Sequence, residues 1–169
     1  MFHCRLGELK GRVLDVGCGT GEHALMAAAG GLDATGIDSA PAAIAIAKAK
    51  TRDRGLAARF LVWNALDLAA LDQRFDMVLD SGLFHVFDDD DRVRFVDSLT
   101  AVTEPGARYH MLCFSDRQPG DWGPRRVSQQ EIGLSFARGW RVDSIEAATF
   151  DVTLDPAGVR AWRVAITRV

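Results

Sequence analysis

The chain has 169 residues, 48% of them hydrophobic, which is the composition of one folded domain rather than of a disordered chain. Its 20 basic and 23 acidic side chains give a formal charge of −3, without the basic excess of nucleic-acid-binding proteins. The three cysteines show no C-x-x-C spacing, and no apolar run approaches the ~20 residues of a membrane span. We therefore expect a single cytoplasmic domain over residues 1–169, with reduced thiols and without nucleic-acid or membrane partners.

Short apolar runs alternate with helical patterns along the chain. Strands are predicted at Arg12–Gly17, Asp33–Asp38, Arg59–Trp63, Phe75–Asp80, Ala107–Phe114, Arg141–Phe150 and Val159–Val169. Helices are predicted at Glu22–Ala29, Pro41–Arg54, Asp90–Thr103 and from a capping box at Ser128–Glu131 to about Gly139. Pro105-Gly106 is predicted to stop the third of these helices, and Asp155-Pro156 to form the last turn. This alternation predicts an α/β fold, in which helices cover both faces of a mostly parallel sheet that ends in an antiparallel pair.

A glycine-rich loop, D-V-G-C-G-T-G at residues 15–21, follows the first predicted strand and leads into the first helix. Glycines at alternate positions allow a tight turn and a close approach of the backbone to a ligand. In doubly wound sheets, ligands bind in this crevice at the carboxyl ends of the strands. Asp38 ends the second strand, where a carboxylate can accept hydrogen bonds from both ribose hydroxyls. Together these features favour a ligand that contains adenosine.

The spacing of the glycines separates two classes of ligand. Enzymes that bind dinucleotides use G-x-G-x-x-G, which places a helix amino terminus against a pyrophosphate. Here the spacing is G-x-G-x-G, with Asp15 just before it and Glu22 just after. Two acids would repel a pyrophosphate, but they suit a ligand that carries an ammonium and a sulfonium. A nicotinamide-dependent oxidoreductase therefore stays as the weaker alternative.

The segment V-L-D-V-G-C-G-T-G at residues 13–21 resembles the signature of the class I S-adenosylmethionine-dependent methyltransferases. The resemblance extends over nearly the whole chain. It implies a Rossmann-like, seven-stranded sheet of order 3-2-1-4-5-7-6 with an antiparallel final strand, and S-adenosyl-L-methionine as cofactor. The implied cofactor-binding residues are Asp15, Gly17, Cys18, Gly19, Asp38, Ser39, Asn64, Ala65 and Asp80. In this assignment the glycine loop lines the methionine portion, Asp38 binds the ribose, Asn64 bonds the adenine amino group, and Asp80 lies near the methionine end.

Three later segments, at residues 80–92, 112–124 and 125–132, resemble a bacterial subgroup near the thiopurine methyltransferases. That subgroup acts on small heterocyclic or phenolic compounds, which implies methyl transfer to an O, N or S atom of such an acceptor. Its members usually carry a longer amino-terminal region that caps the cofactor. Because the first strand here begins about a dozen residues into the chain, we expect the cap to be absent or replaced, for example by a partner subunit or in a homodimer. A non-catalytic module that binds S-adenosylmethionine and acts through a partner is a further alternative.

Methyl transfer from a sulfonium depends mainly on alignment and desolvation, and it needs a base only if the acceptor arrives protonated. His85, after the fourth predicted strand, is the candidate base. Its alternative is a packed histidine beside Phe84 and Phe87 with a backbone partner. Trp122 and Arg125 are candidate substrate-binding residues that would stack on an aromatic acceptor and pair with an anionic one. The alternative for both is an exposed loop, and the acids at 88–91 are predicted to cap a helix rather than to bind a metal.

Overall fold

The computed structural model describes residues 10–152 and 155–169, without the side chains of residues 155–157. The strands are β1 (Arg12–Val16), β2 (Asp33–Asp38), β3 (Ala58–Val62), β4 (Phe75–Ser81), β5 (Thr103–Phe114), β6 (Trp140–Val152) and β7 (Asp155–Arg168). The helices are α1 (Glu22–Ala29), α2 (Pro41–Asp53), α3 (Asp89–Ala101) and α4 (Gln129–Ser135). Two 3-10 segments, Ala65–Leu71 and Phe84–Val86, lie between strands and helices.

The seven strands form one sheet in the order β3-β2-β1-β4-β5-β7-β6. The strands β1 to β5 run parallel, whereas β7 is antiparallel to both β5 and β6. This order confirms the predicted fold class. It also places the carboxyl ends of β1, β2, β3 and β4 side by side, so that the loops after these strands meet at one edge of the sheet.

The sheet is covered on both faces, which explains the continuous apolar runs of its central strands. Alternate residues of β1 belong to different clusters, with Val13 in one and Leu14 in the other. The cluster around Val13 includes buried residues of α1 and α2. The cluster around Leu14 includes buried residues of α3 and α4. The helices therefore form one layer on each side of the sheet.

Two helix ends that the sequence predicts are confirmed. Asp88 caps α3, where its carboxylate accepts a hydrogen bond from the Asp91 amide at 2.8 Å. Ser128 and Glu131 form the predicted capping box at the start of α4. None of the helices in the described parts of the chain is both long and apolar enough to span a membrane.

Three predicted boundaries are wrong. Helix α3 ends at Ala101, and β5 begins at Thr103 instead of the predicted Ala107. The strand can include Pro105, which lacks an amide hydrogen, because the register between β4 and β5 shifts between the Phe75 and Met77 pairings. Helix α4 ends at Ser135, four residues before Gly139, since Phe136 turns into the core. The strand β7 begins at Asp155, which pairs with Val152, so Asp155-Pro156 belongs to a strand instead of forming the predicted turn.

Candidate functional site

The glycine loop folds back on β2 at the carboxyl edge of the sheet. The Cys18 amide donates to the Ile37 carbonyl, and the Gly21 amide donates to the Cys18 carbonyl, both at 2.9 Å. Gly21 has a φ of +87°, and a Cβ there would lie 2.6 Å from the Phe60 ring. At Gly19, with a φ of +52°, no atom lies within 4 Å of the Cβ position. The loop is therefore packed against the protein at Gly21 and open to a ligand at Gly19.

Asp38 joins this loop to the end of β2. One carboxylate oxygen accepts the Gly19 amide and the other accepts the Ala40 amide, each at 2.8 Å. Asp38 is half-buried, and the adjacent Ser39 is exposed. Because each carboxylate oxygen can accept more than one hydrogen bond, Asp38 retains the capacity to accept ribose hydroxyls. The structure thus brings Gly19, Asp38 and Ser39 together as the sequence predicts.

Asn64 and Ala65 follow the next strand, β3. The Asn64 side-chain oxygen accepts the Leu66 amide at 3.0 Å and so starts the 3-10 segment Ala65–Leu71. Asn64 is exposed and Ala65 is half-buried. The oxygen that was predicted to meet an adenine amino group is therefore also a helix-capping atom.

Asp15 lies beneath the glycine loop and is 1% exposed. Its carboxylate accepts the Ala24 amide of α1 at 3.1 Å. Burial, and to a lesser extent the charges of Asp80 and Asp38, raise its pKa to about 7. Burial likewise raises the pKa of the Cys18 thiol within the loop, which leaves Cys18 protonated.

Glu22 does not act as the second free acid that the spacing argument assumes. Its carboxylate pairs with Lys50 at 2.9 Å and with Arg54 at 2.8 Å, and these hydrogen bonds lower its pKa to about 2. Lys50 also donates to the Thr20 hydroxyl at 2.7 Å, which ties the loop to α2. The Glu22 charge is thus balanced by two cations.

Asp80 is fully buried at the end of β4. Its carboxylate accepts hydrogen bonds from the amides of Leu83 at 2.7 Å and Phe84 at 3.0 Å, and from the Tyr109 hydroxyl at 2.7 Å. Burial raises its pKa to about 6, against the opposing effect of these bonds. In this structure Asp80 shapes the turn after β4 instead of lining the cofactor crevice, so the geometry does not support the predicted direct contact.

His85 is 3% exposed, and the structure favours the packed alternative over the base. Its Nδ1 accepts the Phe114 amide at 2.9 Å, so the proton of the neutral ring lies on Nε2. Burial, reinforced by the charges of Arg92 and Arg126, lowers its pKa to about 4. The neighbouring rings are those of Phe114 and Phe150, at 4.8 and 6.2 Å between centroids, rather than Phe84 and Phe87.

Trp122 and Arg125 separate in space. Trp122 is 44% exposed, and its ring centroid lies 6.1 Å from that of Phe114. Arg125 instead pairs with Asp89 and Glu131, both at 2.6 Å, on the rim of a groove of about 700 Å³ between α3 and α4. The predicted substrate contact of Arg125 is therefore a helix-to-helix ion pair in this structure, because each of its partners starts a helix.

Two further residues lie near the site: Arg126, which its place in the loop after the fifth strand marks as a candidate for acceptor contacts, and Phe150, which has no such signal in the sequence. Arg126 donates to the carbonyls of Pro124 and Trp122, at 2.7 and 2.9 Å, and so organises the loop after β5. Phe150 reaches the turn after β4 from the last hairpin. The register of β6 and β7 brings Phe150 there, and the apolar pattern of a sequence does not determine that register. The predicted loss of an amino-terminal cap concerns residues 1–9, which lie outside the described residues.

Comparison with known proteins agrees with this geometry. A family model described as a methyltransferase domain matches residues 13–106. A 2-heptyl-1-hydroxyquinolin-4(1H)-one methyltransferase of Mycobacteroides abscessus is 37% identical over 145 residues, which are 84% of this chain and 64% of the relative. A demethylmenaquinone methyltransferase of Thermus thermophilus is 39% identical over 114 residues, 66% of this chain and 51% of the relative. The chain thus spans about half to two thirds of these curated relatives.

Among solved structures, one described as "Conversion of a Disulfide Bond into a Thioacetal Group during Echinomycin Biosynthesis" is 36% identical and superposes with a TM-score of 0.85. The match covers 96% of this chain and 77% of the other. A SAM-dependent methyltransferase of Methanosarcina mazei, at 19% identity and a TM-score of 0.80, shares the fold. The family match, these similarities and the sheet order agree: the chain belongs to the class I S-adenosylmethionine-dependent methyltransferase family.

Proposed function

We propose that this protein transfers the methyl group of S-adenosyl-L-methionine to an O, N or S atom of a small aromatic or heterocyclic acceptor. The observation that carries the proposal is the hydrogen bond from Gly19 to Asp38, beside an open face of the glycine loop. This hydrogen bond joins a backbone that a ligand can approach closely to a carboxylate that can bind a ribose, and the two lie at the ends of neighbouring strands.

The residues at this edge fit the proposed cofactor. Asp38 would accept the ribose hydroxyls, Gly19 would allow the backbone to approach, and Asn64 with Ala65 would flank the adenine. Asp15 lies under the loop with a raised pKa, and a nearby cation would favour its ionised form. When bound, S-adenosylmethionine supplies a methyl group on a sulfonium, which is an activated electrophile.

The relatives indicate the class of acceptor. Those reported above are named for a hydroxyquinolone and for demethylmenaquinone. Both names favour an aromatic or quinone-like compound over a macromolecule, in accord with the formal charge of −3. The narrower resemblance to thiopurine methyltransferases stays a prediction.

This chain's own residues would contribute position and desolvation rather than a base. The Nδ1 atom of His85 already accepts the Phe114 amide, and its Nε2 carries the proton. His85 can therefore donate a hydrogen bond at Nε2 but does not take a proton from the acceptor. We infer an acceptor atom that is nucleophilic without deprotonation by His85.

Calorimetry with S-adenosylhomocysteine and with NAD tests the proposal. We expect the protein to bind S-adenosylhomocysteine and not NAD. In Asp38→Ala the binding of S-adenosylhomocysteine should weaken by about 1–3 kcal/mol, because the ribose hydroxyls would lose their acceptor. Tight binding of NAD without binding of S-adenosylhomocysteine would support the oxidoreductase alternative. Binding of S-adenosylhomocysteine without turnover of phenols, thiols and heterocycles would support the non-catalytic module.

The setting in which the enzyme works is part of the same proposal. We propose that residues 1–169 act as one domain in the cytoplasm, since Cys18 and Cys113 are unpaired thiols while Cys4 lies outside the described residues. We also propose that a second copy or another partner closes the site. Cell fractionation and light scattering with bound S-adenosylhomocysteine test these two points, and a monomeric complex that turns over would exclude the second.

A further inference from the structure

The last hairpin extends past the carboxyl edge of the parallel strands. Phe114, the final residue of β5, pairs with Ala161 of β7, and the Ser115 amide still reaches the Arg160 carbonyl at 2.9 Å. The pairing of β6 with β7 continues beyond this point to Val152 and Asp155. Residues 148–152 of β6, here called the overhang, therefore stand above the edge where the candidate site lies.

The overhang turns one aromatic side chain toward the site. The Phe150 ring centroid lies 5.6 Å from that of Phe114 and 6.2 Å from that of His85. A Cβ placed on Gly82 would lie 3.2 Å from the Phe150 ring and 3.4 Å from the Nε2 atom of His85. The ring of Phe150 and the Nε2 atom of His85 thus converge on the backbone of Gly82, directly after β4.

This convergence lies next to the glycine loop. A Cβ placed on Gly17 would lie 3.1 Å from the Leu83 side chain, and Leu83 follows Gly82. Asp80 fixes this turn from below through the Leu83 and Phe84 amides. A compound held against Phe150 would therefore lie beside the methionine portion of the proposed cofactor.

This surface combines aromatic rings with a directed hydrogen-bond donor on His85, beside the guanidinium group of Arg126. The buried Phe114 ring packs edge to face against the half-buried Phe150 and the exposed Trp122, and these last two rings offer aromatic contact area. His85 is held by the Phe114 amide, which leaves Nε2–H as its donor. Such a surface suits a flat ring system that carries an oxygen able to accept one hydrogen bond.

We propose that the overhang is one wall of the acceptor site, with Phe150 selecting acceptors by the extent of their ring system and His85 Nε2–H binding an acceptor oxygen. This inference rests on the proposed methyl transfer to an aromatic acceptor. It assigns Phe150 as a specificity-determining residue and His85 as a hydrogen-bond donor in place of a base.

Binding of two probes in the presence of S-adenosylhomocysteine tests the role of Phe150. The probes are 1-hydroxyquinolin-4(1H)-one, with two fused rings, and 1-hydroxypyridin-4(1H)-one, with one. Phe150→Ala should weaken binding of the two-ring probe about tenfold and that of the one-ring probe much less, because the second ring loses its aromatic contact. Thr149→Ala is the control, since its exposed side chain points to the other face of the hairpin.

A matched pair of variants tests His85. In His85→Gln the amide nitrogen can replace Nε2–H, whereas in His85→Asn the amide oxygen can replace Nδ1 as acceptor for Phe114. We expect the Gln variant to retain probe affinity and the Asn variant to lose about tenfold. If His85 has only a structural role, the Gln and Asn variants should bind the probes equally, and the Asn variant should be the more stable of the two.

The outcomes separate this inference from the proposed function. Equal effects of Phe150→Ala on both probes, or no binding of either probe to the unaltered protein, would overturn the acceptor wall. If S-adenosylhomocysteine still binds in those experiments, the proposed cofactor site is unaffected. If the unaltered protein does not bind S-adenosylhomocysteine, both the acceptor wall and the proposed function are overturned.

Discussion

At the scale of single residues, two buried carboxyls lie near the carboxyl ends of the adjacent strands β1 and β4. Burial raises the pKa of Asp15 to about 7 and that of Asp80 to about 6, from an ordinary value of 3.8. A raised carboxyl pKa means that the folded protein holds the proton more tightly than the unfolded chain does. The stability that each group contributes is therefore complete below about pH 4 and is lost as the pH rises through the folded pKa.

Asp15→Asn should remove one of these two pH dependences. The amide oxygen can still accept the Ala24 amide, but it does not ionise. We expect the variant to gain stability over the original protein by up to about 1.4 kcal/mol per pH unit between pH 5 and 7, and to gain no more above that range. Urea unfolding across pH 5–8 measures this, with the exposed Asp90→Asn as control. A difference that does not change with pH would contradict the assigned proton.

Residues next to a strand end were the predictable part of the site. Gly19 and Asp38 were identified because the loop after a parallel strand must lie at the carboxyl edge. Asp80 stands at such an end too, but its orientation depends on Tyr109, 29 residues away. Arg125 depends in the same way on Asp89, 36 residues away. Partners as distant as these are set by packing, which the local pattern of a sequence does not contain.

At the scale of elements, the loop after β5 is organised around one guanidinium group. Arg126 donates to the carbonyls of Gln118, Gly120, Trp122 and Pro124 at 2.7–3.3 Å. The same group lies over the Phe114 ring, 5.4 Å from its centroid. The position of the exposed Trp122 beside the proposed acceptor site thus depends on Arg126.

Arg126→Lys should loosen this loop without disturbing the glycine loop. A lysine ammonium has three donors and no planar fork, so it cannot satisfy the same set of carbonyls. We expect a loss of about 1–2 kcal/mol in unfolding free energy, faster amide exchange at residues 117–125, and a raised KM for acceptors. Affinity for S-adenosylhomocysteine should not change, and a matching loss there would contradict a role confined to the acceptor side. Lys48→Arg on α2 is the control for an exposed cation change.

The elements themselves were largely predictable, whereas their registers were not. Alternation of strands and helices was enough for the sheet and for its layers, because parallel neighbours need helical crossovers. The overhang of β6 and β7 depends on which residue of β7 faces Phe114. Apolar periodicity is the same for every even shift of a strand, so it does not choose among those registers. Phe150 therefore had no signature in the sequence.

At the scale of the whole molecule, the proposed cofactor site is built from three separate stretches of chain. The glycine loop follows β1, Asp38 ends β2, and Asn64 follows β3. The sheet aligns these ends, and the two apolar clusters fix the sheet from both faces. A ligand that contacts all three stretches binds only the folded chain, which couples its binding to global stability.

S-Adenosylhomocysteine should therefore raise the unfolding temperature of the whole domain. At about 100 times its Kd the linkage contributes about 2.7 kcal/mol, which corresponds to about 5–10 °C for a chain of this length. Scanning calorimetry measures the shift, and NAD at the same concentration should give none. Asp38→Ala should reduce the shift at that nucleoside concentration, whereas Asp53→Ala, at the exposed end of α2, should not. An equal shift in Asp38→Ala would place the ligand elsewhere on the molecule, because Asp38 is the proposed acceptor for the ribose hydroxyls, beside the glycine loop that it binds through the Gly19 amide.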